Sequence, residues 1–189
     1  MKRLITGGSG LVGSTIDAEI KLGSKDGDLR KWSDVKKIFE THRPTHVIHA
    51  AARVGGVGGN MKAKGEFFYD NIMINTNVLE ACRLYKVEKV VSFLSTCIFP
   101  DSVEYPLTEK KIHLGAPHSS NYGYAYAKRM LDVQTQAYRQ QYGCNYICAI
   151  PNNLYGEKDN FDLDNGHVIP ALIRKVYEAK ISDRDHVEV

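Results

Sequence analysis

The chain opens with a run that few folds accommodate. "RLITGGSGLVG" places Gly8, Gly10 and Gly13 in the spacing G-x-G-x-x-G, directly after a short apolar strand (3–6) and at the start of a segment with helical periodicity (10–20). A strand before the glycines and a helix after them turn a weak pattern into a strong one. Gly7 and Gly8 permit a turn that side chains would block. Gly10 lets backbone approach a pyrophosphate, and Gly13 lets the helix pack closely on the strand. Ser9, Leu11 and Val12 complete the loop. Free N–H groups at the helix start, with the positive end of its dipole, suit phosphates. The competing reading is a glycine-rich turn in some other α/β fold.

The rest of the chain alternates apolar runs with helical periodicity. Strands are expected at 45–52, 88–95 and 145–151, and helices at 32–42, 67–85, 121–142 and 167–180. That alternation predicts an α/β fold, a doubly wound parallel sheet of the Rossmann type that binds NAD(P), covered on both faces. A complete domain of this kind has about six strands, more than the pattern supplies. Between Gly13 and Asp28 lie only fourteen residues, "STIDAEIKLGSKDG". They suffice for a short helix and a turn, and no second strand is convincing there. The expectation is a sheet incomplete at strand 2 and at the C-terminus.

Composition narrows the surroundings. The 189 residues are 43% hydrophobic and 25% charged, with a net charge of +3 spread along the chain. No basic block calls for nucleic acid. No segment reaches the ~20 apolar residues that span a bilayer, and the N-terminus lacks the apolar stretch of a secretory leader. A cytoplasmic protein with reduced Cys82, Cys97, Cys144 and Cys148 is expected. No metal-ligand spacing stands out.

Four further stretches carry chemistry. "DGDLRKWSDV" sets Asp28 and Leu29 ahead of a helix, where an adenine edge is often bound; Asp28 and Asp34 also suit a helix N-cap. "HAAARVGG" offers Ala51 and Ala52, small enough for backbone to run beside a cofactor or for packing beneath a helix. "LSTCIFP" ends a strand with Ser95, Thr96 and Cys97, either as a simple turn or as part of an active site. "NYGYAYAKRM" puts Tyr124 and Lys128 four apart, on one helix face. An ammonium beside a phenol favours phenolate and lowers its pKa.

Taken together, the glycine turn, the strand-end Ser and the Tyr-x-x-x-Lys helix resemble the extended short-chain dehydrogenase/reductase family. The blocks "HAAARVGGVGGN", "LSTCIFP", "NYGYAYAKRM", "QQYGCNY", "PNNLYGEKDNF" and "GHVIPALIRKV" resemble its branch of 3,5-epimerases/4-reductases acting on GDP-4-keto-6-deoxy-mannose. The resemblance implies NADP(H) as cofactor, with nothing at strand 2 to support that choice over NAD(H). It implies that Ser95 bonds the 4-keto oxygen, that Tyr124 donates the proton there, and that Lys128 holds the nicotinamide ribose and tunes Tyr124. Cys97 and His167 become the acid/base pair that inverts carbons 3 and 5. Asn153 and Leu154 run along the nicotinamide, with Pro151, Asn152 and His167 also at the cofactor. Lys175 meets the substrate diphosphate.

Each assignment has a plainer counterpart: Cys97 as a core thiol, His167 as a helix cap, Lys175 as a solvated charge. The resemblance further implies a homodimer, or a mixed dimer with a full-length chain, through helices 67–85 and 121–142. Family members continue beyond the point where "ISDRDHVEV" stands. The expectation is therefore a dinucleotide-binding domain over 1–180, an unassigned tail over 181–189, no substrate domain, and weak or absent turnover. A different class also fits: an inactive nucleotide-binding or dimerisation subunit that modulates a full-length partner.

Overall fold

The computed structural model describes residues 1–164 and 166–188. Its strands are β1 (Arg3–Thr6), β2 (Ile20–Leu22), β3 (His46–His49), β4 (Lys89–Phe93) and β5 (Tyr146–Ala149). They pair in the order β2-β1-β3-β4-β5, every neighbour parallel. The helices are α1 (Leu11–Thr15), α2 (Trp32–His42), α3 (Val57–Lys62), α4 (Lys64–Leu84), α5 (Tyr122–Tyr142) and α6 (Val168–Ile181).

The second strand corrects the sequence expectation. It is three residues long and pairs Leu4 with Ile20 and Thr6 with Leu22. Room for it comes from α1, which shrinks to five residues instead of running to residue 20. Ile16 is already extended, at φ -86° and ψ 131°. Glu19 then accepts from the backbone N–H of Arg3 at 2.8 Å and from its guanidinium at 2.9 Å, which guides the chain onto the sheet edge.

Register shows how the sheet builds its core. Leu4, Val47, Val90 and Tyr146 are successive partners across four strands, all at most 1% exposed. They meet Val35 and Phe39 of α2, Val78, Leu79 and Cys82 of α4, and Leu131 of α5. The next row, Ile5, Ile48, Val91 and Ile147, faces the other side, since strand side chains alternate. Ile5 is fully buried, whereas Ile147 on edge strand β5 is 39% exposed. Cover on both faces, expected from the pattern, therefore fails at the β5 end. The third row returns to the core side and is polar: Thr6, His49 and Ser92 are all buried.

Helices α4 and α5 pack directly on each other. A Cβ on Gly123, at the start of α5, would stand 2.2 Å from the carbonyl oxygen of Lys64, at the start of α4. Overpacking of that kind costs about 1–3 kcal/mol. Gly123→Ala is expected to lower stability by that amount in urea titration; an unchanged midpoint would show that the two helices are free to separate.

Candidate active site

A cleft of about 920 Å³ runs along the carboxyl ends of the strands. Each strand contributes the residues that follow it: Gly7 after β1, Gly23 and Ser24 after β2, Ala50–Ala52 after β3, Leu94–Thr96 after β4, and Asn152–Leu154 beyond β5. This is where open parallel sheets bind ligands.

The glycine turn forms one wall. Gly7 has φ +72°, and a Cβ there would lie 2.9 Å from Ala51. A Cβ on Gly13 would lie 2.2 Å from the Gly7 carbonyl oxygen, so α1 can approach β1 only with glycine at this position. Gly10 meets nothing closer than 3.4 Å. The space its missing side chain leaves belongs to the cleft, which suits a pyrophosphate against bare backbone. Ser9, Leu11 and Val12 share this wall. Gly8 does not: it faces the edge strand, and its N–H donates to Leu22 at 2.7 Å. With α1 so short, the loop's own N–H groups carry more of any anion recognition than a helix dipole can.

At the β2 end, Asp28 and Leu29 line the cleft. Neither Asp28 nor Asp34 caps α2; Lys31 stands at its N-cap. Asp34 instead accepts from the Asp28 N–H at 2.9 Å. The Asp28 carboxylate accepts from Arg30 Nε and Nη2, both at 2.9 Å, and that guanidinium holds its pKa below the usual range.

At the β4 end stand Ser95, Thr96, Tyr124 and Lys128. Ser95 Oγ accepts from the Cys97 N–H at 3.5 Å, beginning a 3₁₀ turn over Thr96–Ile98. Lys128 is 2% exposed, donates Nζ to the Phe93 carbonyl at 2.7 Å, and lies 5.8 Å from the centre of the Tyr124 ring. Here the expected direction of one shift reverses. Burial, then Cys97, pushes the Tyr124 phenol up, while burial lowers Lys128 to about 8, with Cys97 and Cys148 opposing. Lys128 is removed from water and Tyr124 partly so, and the ammonium is spent on a carbonyl instead of the phenol oxygen.

His167 is on the cleft wall at the N-cap position of α6, without bonding a backbone N–H there. Its Nδ1 lies 3.6 Å from Asp159 Oδ1, and the other Asp159 oxygen is buried without a hydrogen-bond partner. Cys97 is not on the wall. Its thiol is pushed up by burial, with a hydrogen bond to Ser95 and the charge of Lys128 pulling the other way. Lys175 is also outside the cleft, on α6, donating to the Glu188 carbonyl at 2.9 Å. The remaining expected contacts, Pro151, Asn152, Asn153 and Leu154, line the cleft. Arg30, Lys158 and Asp159 line it too. Sequence reasoning passed over them, although "KDNF" lies inside a block it had singled out.

Fold and cleft define a nucleotide-binding α/β protein with a Ser, a Tyr and a Lys at one strand end. Residues 3–188 match the model of the NAD dependent epimerase/dehydratase family, and the chain belongs to that family. Within it the chain is similar to GDP-L-fucose synthases. It is 52% identical to the GDP-L-fucose synthase of Dictyostelium discoideum, over 96% of this chain and 60% of that protein. A GDP-L-fucose synthetase from Naegleria fowleri, solved bound to NADP, superposes with a TM-score of 0.89 at 46% identity, over 98% of this chain and 64% of that one. A GDP-mannoheptose C4 reductase from Campylobacter jejuni, also with NADP bound, gives 0.84 at 31% identity, over 95% of this chain and 56% of that one. The chain spans about 60% of the length of the curated relatives it matches.

The Lys128 shift has a thermodynamic consequence. Between pH 8 and its unperturbed value of 10.5, the unfolded chain holds this proton and the folded chain releases it. Burial of the ammonium therefore costs most below pH 8, and the cost fades as pH rises toward 10.5. Lys128→Met is expected to melt higher than the parent at pH 7, with the gap shrinking by pH 10. A gap independent of pH would show that Lys128 is not buried as a charge.

Proposed function

We propose that this chain binds NADP(H) in the cleft and carries the groups that convert GDP-4-keto-6-deoxy-D-mannose to GDP-L-fucose by epimerisation at C3 and C5 and reduction at C4. The observation that carries this reading is the meeting of Ser95, Tyr124, Lys128 and His167 on the wall that also holds the glycine turn. Residues 1–180 act as the dinucleotide-binding unit. The choice of NADP(H) rests on the two relatives solved with NADP, 46% and 31% identical.

The chemistry follows from a ketone flanked by two stereocentres. Protons at C3 and C5 are acidic because the C4 carbonyl takes up the charge. In this reading Ser95 Oγ donates to that oxygen and holds it beside Tyr124. His167 works from one face of the sugar, with Asp159 Oδ1 3.6 Å from its Nδ1. Cys97 serves the other face, which requires its thiol to turn into the cleft. NADPH, when bound, supplies the hydride for C4. Tyr124 Oη gives the proton to the C4 oxygen; a phenol is protonated at neutral pH, the form a donor needs, and burial pushes its pKa further up. Lys128 braces the strand end through Phe93.

Tyr124→Phe is expected to lower reduction by about 10²-fold or more while NADP⁺ binding persists. Cys97→Ser should reduce deuterium uptake from solvent at C3 and C5 far more than it reduces NADP⁺ binding. Full exchange in Cys97→Ser would remove Cys97 from the acid/base pair. Binding without turnover in the parent chain would favour the alternative, a nucleotide-binding subunit.

The same reading extends to a homodimer through α4 and α5. The face is expected to use Phe67, Phe68, Ile72 and Leu79 of α4 and Met130, Leu131, Val133 and Tyr138 of α5; of these Phe67, Leu79 and Leu131 are buried inside the chain, and Ile72 and Tyr138 are half-buried. Phe68 (41% exposed), Met130 (39%) and Val133 (45%) remain, with Tyr69 at 60%. Light scattering should give twice the chain mass, and Val133→Arg should halve it. A parent that stays monomeric at high concentration would sink the dimer.

A further inference from the structure

Arg30 is an unusual cleft residue. It lines the wall beside Gly27, Asp28 and Leu29, and its side chain is 46% exposed. Yet all three of its guanidinium nitrogens are engaged. Nε and Nη2 donate to the two Asp28 oxygens at 2.9 Å each, and Nη1 donates to Asp70 Oδ1 at 3.0 Å. Asp70 is held from its other side by Arg53 Nη1 at 2.7 Å. The backbone is equally tied: Asn77 Nδ2 donates to the carbonyls of both Leu29 and Arg30 at 3.0 Å. The Arg30 N–H donates to Asp28 Oδ1 at 3.0 Å.

A guanidinium grips a phosphate through its donor edge. Carboxylates occupy that edge here. The cluster pairs Arg30 and Arg53 with Asp28, Asp70 and Glu66, so both guanidiniums are already matched by carboxylates and neither stands as an uncompensated cation for phosphate. One N–H on each Nη is not used by these carboxylates; beside them the group offers the cleft its flat face, which takes a planar aromatic ring. Position says which ring. Arg30 follows β2, whereas Ser95 follows β4, three strands away in the order β2-β1-β3-β4. At the usual strand spacing that is about 14 Å. The reacting ring of a dinucleotide has to lie beside Ser95 and Tyr124, which leaves the other ring at β2.

We infer that Arg30, clamped edge-on by Asp28 and Asp70, is the stacking platform for the adenine of the bound dinucleotide. The inference rests on the proposed cofactor reading, and it recasts Asp28, whose first task is to hold Arg30 flat.

The test is calorimetric titration of the parent, Arg30→Ala and Arg30→Lys with NADP⁺, 5′-AMP and inorganic pyrophosphate, at low and high salt. Arg30→Lys keeps the charge and loses the plane. Both variants should bind NADP⁺ and 5′-AMP roughly tenfold more weakly, to the same extent at either salt. Pyrophosphate, which has no ring, should bind all three proteins alike, and this guards against misfolded variants. Parent-like affinity in Arg30→Lys, or a loss that vanishes in salt, would overturn stacking in favour of charge. A parent that binds NADP⁺ with Arg30→Ala unaffected would overturn this inference alone. A parent that binds neither NADP⁺ nor 5′-AMP would overturn the cofactor reading with it.

Discussion

Parallel pairing is the constraint on which the rest of the molecule depends. Because all five strands run the same way, their carboxyl ends share one edge, and every chain segment leaving the sheet there borders the same cleft. Just inside that edge the side chains are polar. His49 bonds Thr6 Oγ1 at 2.8 Å and Asn75 Oδ1 at 3.0 Å. Asn75 Nδ2 in turn donates to the Ala127 carbonyl at 3.4 Å. Burial, with Lys128 adding to it, drives the imidazole down to about 3, so His49 stays neutral and acts as a spacer. The chain of bonds links β1 and β3 to α4 and α5, and so sets where Tyr124 and Lys128 stand relative to the sheet.

Two consecutive cations on α5 complete that placement. Lys128 donates to the Phe93 carbonyl, and Arg129 donates Nε to Ile98 and Nη1 to Gly115, each at 2.7 Å. Both are buried, at 2% and 3% exposure, and neither faces a carboxylate among the described residues. Burying charge in this way is costly unless hydrogen bonds offset it. Here three carbonyls offset part of that cost, Arg129 Nη2 having no hydrogen-bond partner among the described residues, and two of the carbonyls bracket the turn that carries Ser95 and Cys97. The same bonds that make the two cations tolerable thus hold the strand end against the helix that bears Tyr124.

Most of the fold was legible, because it rests on local pattern. The apolar runs at β1, β3, β4 and β5 and the periodicity of α2, α4, α5 and α6 appear in neighbouring residues. β2 was not legible: "IKL" is too short and too mixed to stand out, and it becomes a strand only because β1 offers an open edge. Its presence also removes the need for a long α1.

For the site, the glycine turn, the Ser95 strand end and the Tyr124–Lys128 spacing were legible in the sequence alone, since each depends on residue type at short range, whereas His167 entered only through the family resemblance. Tertiary structure decided how those groups behave. It turned the Lys128 ammonium toward Phe93 instead of the phenol oxygen, reversing the expected shift of Tyr124. It left Cys97 and Lys175 off the cleft wall, and brought Asp70, forty positions away in sequence, onto Arg30. Burial and partner choice belong to contacts between distant residues, and a linear pattern of residue types does not encode which of several donors or acceptors a buried group will meet.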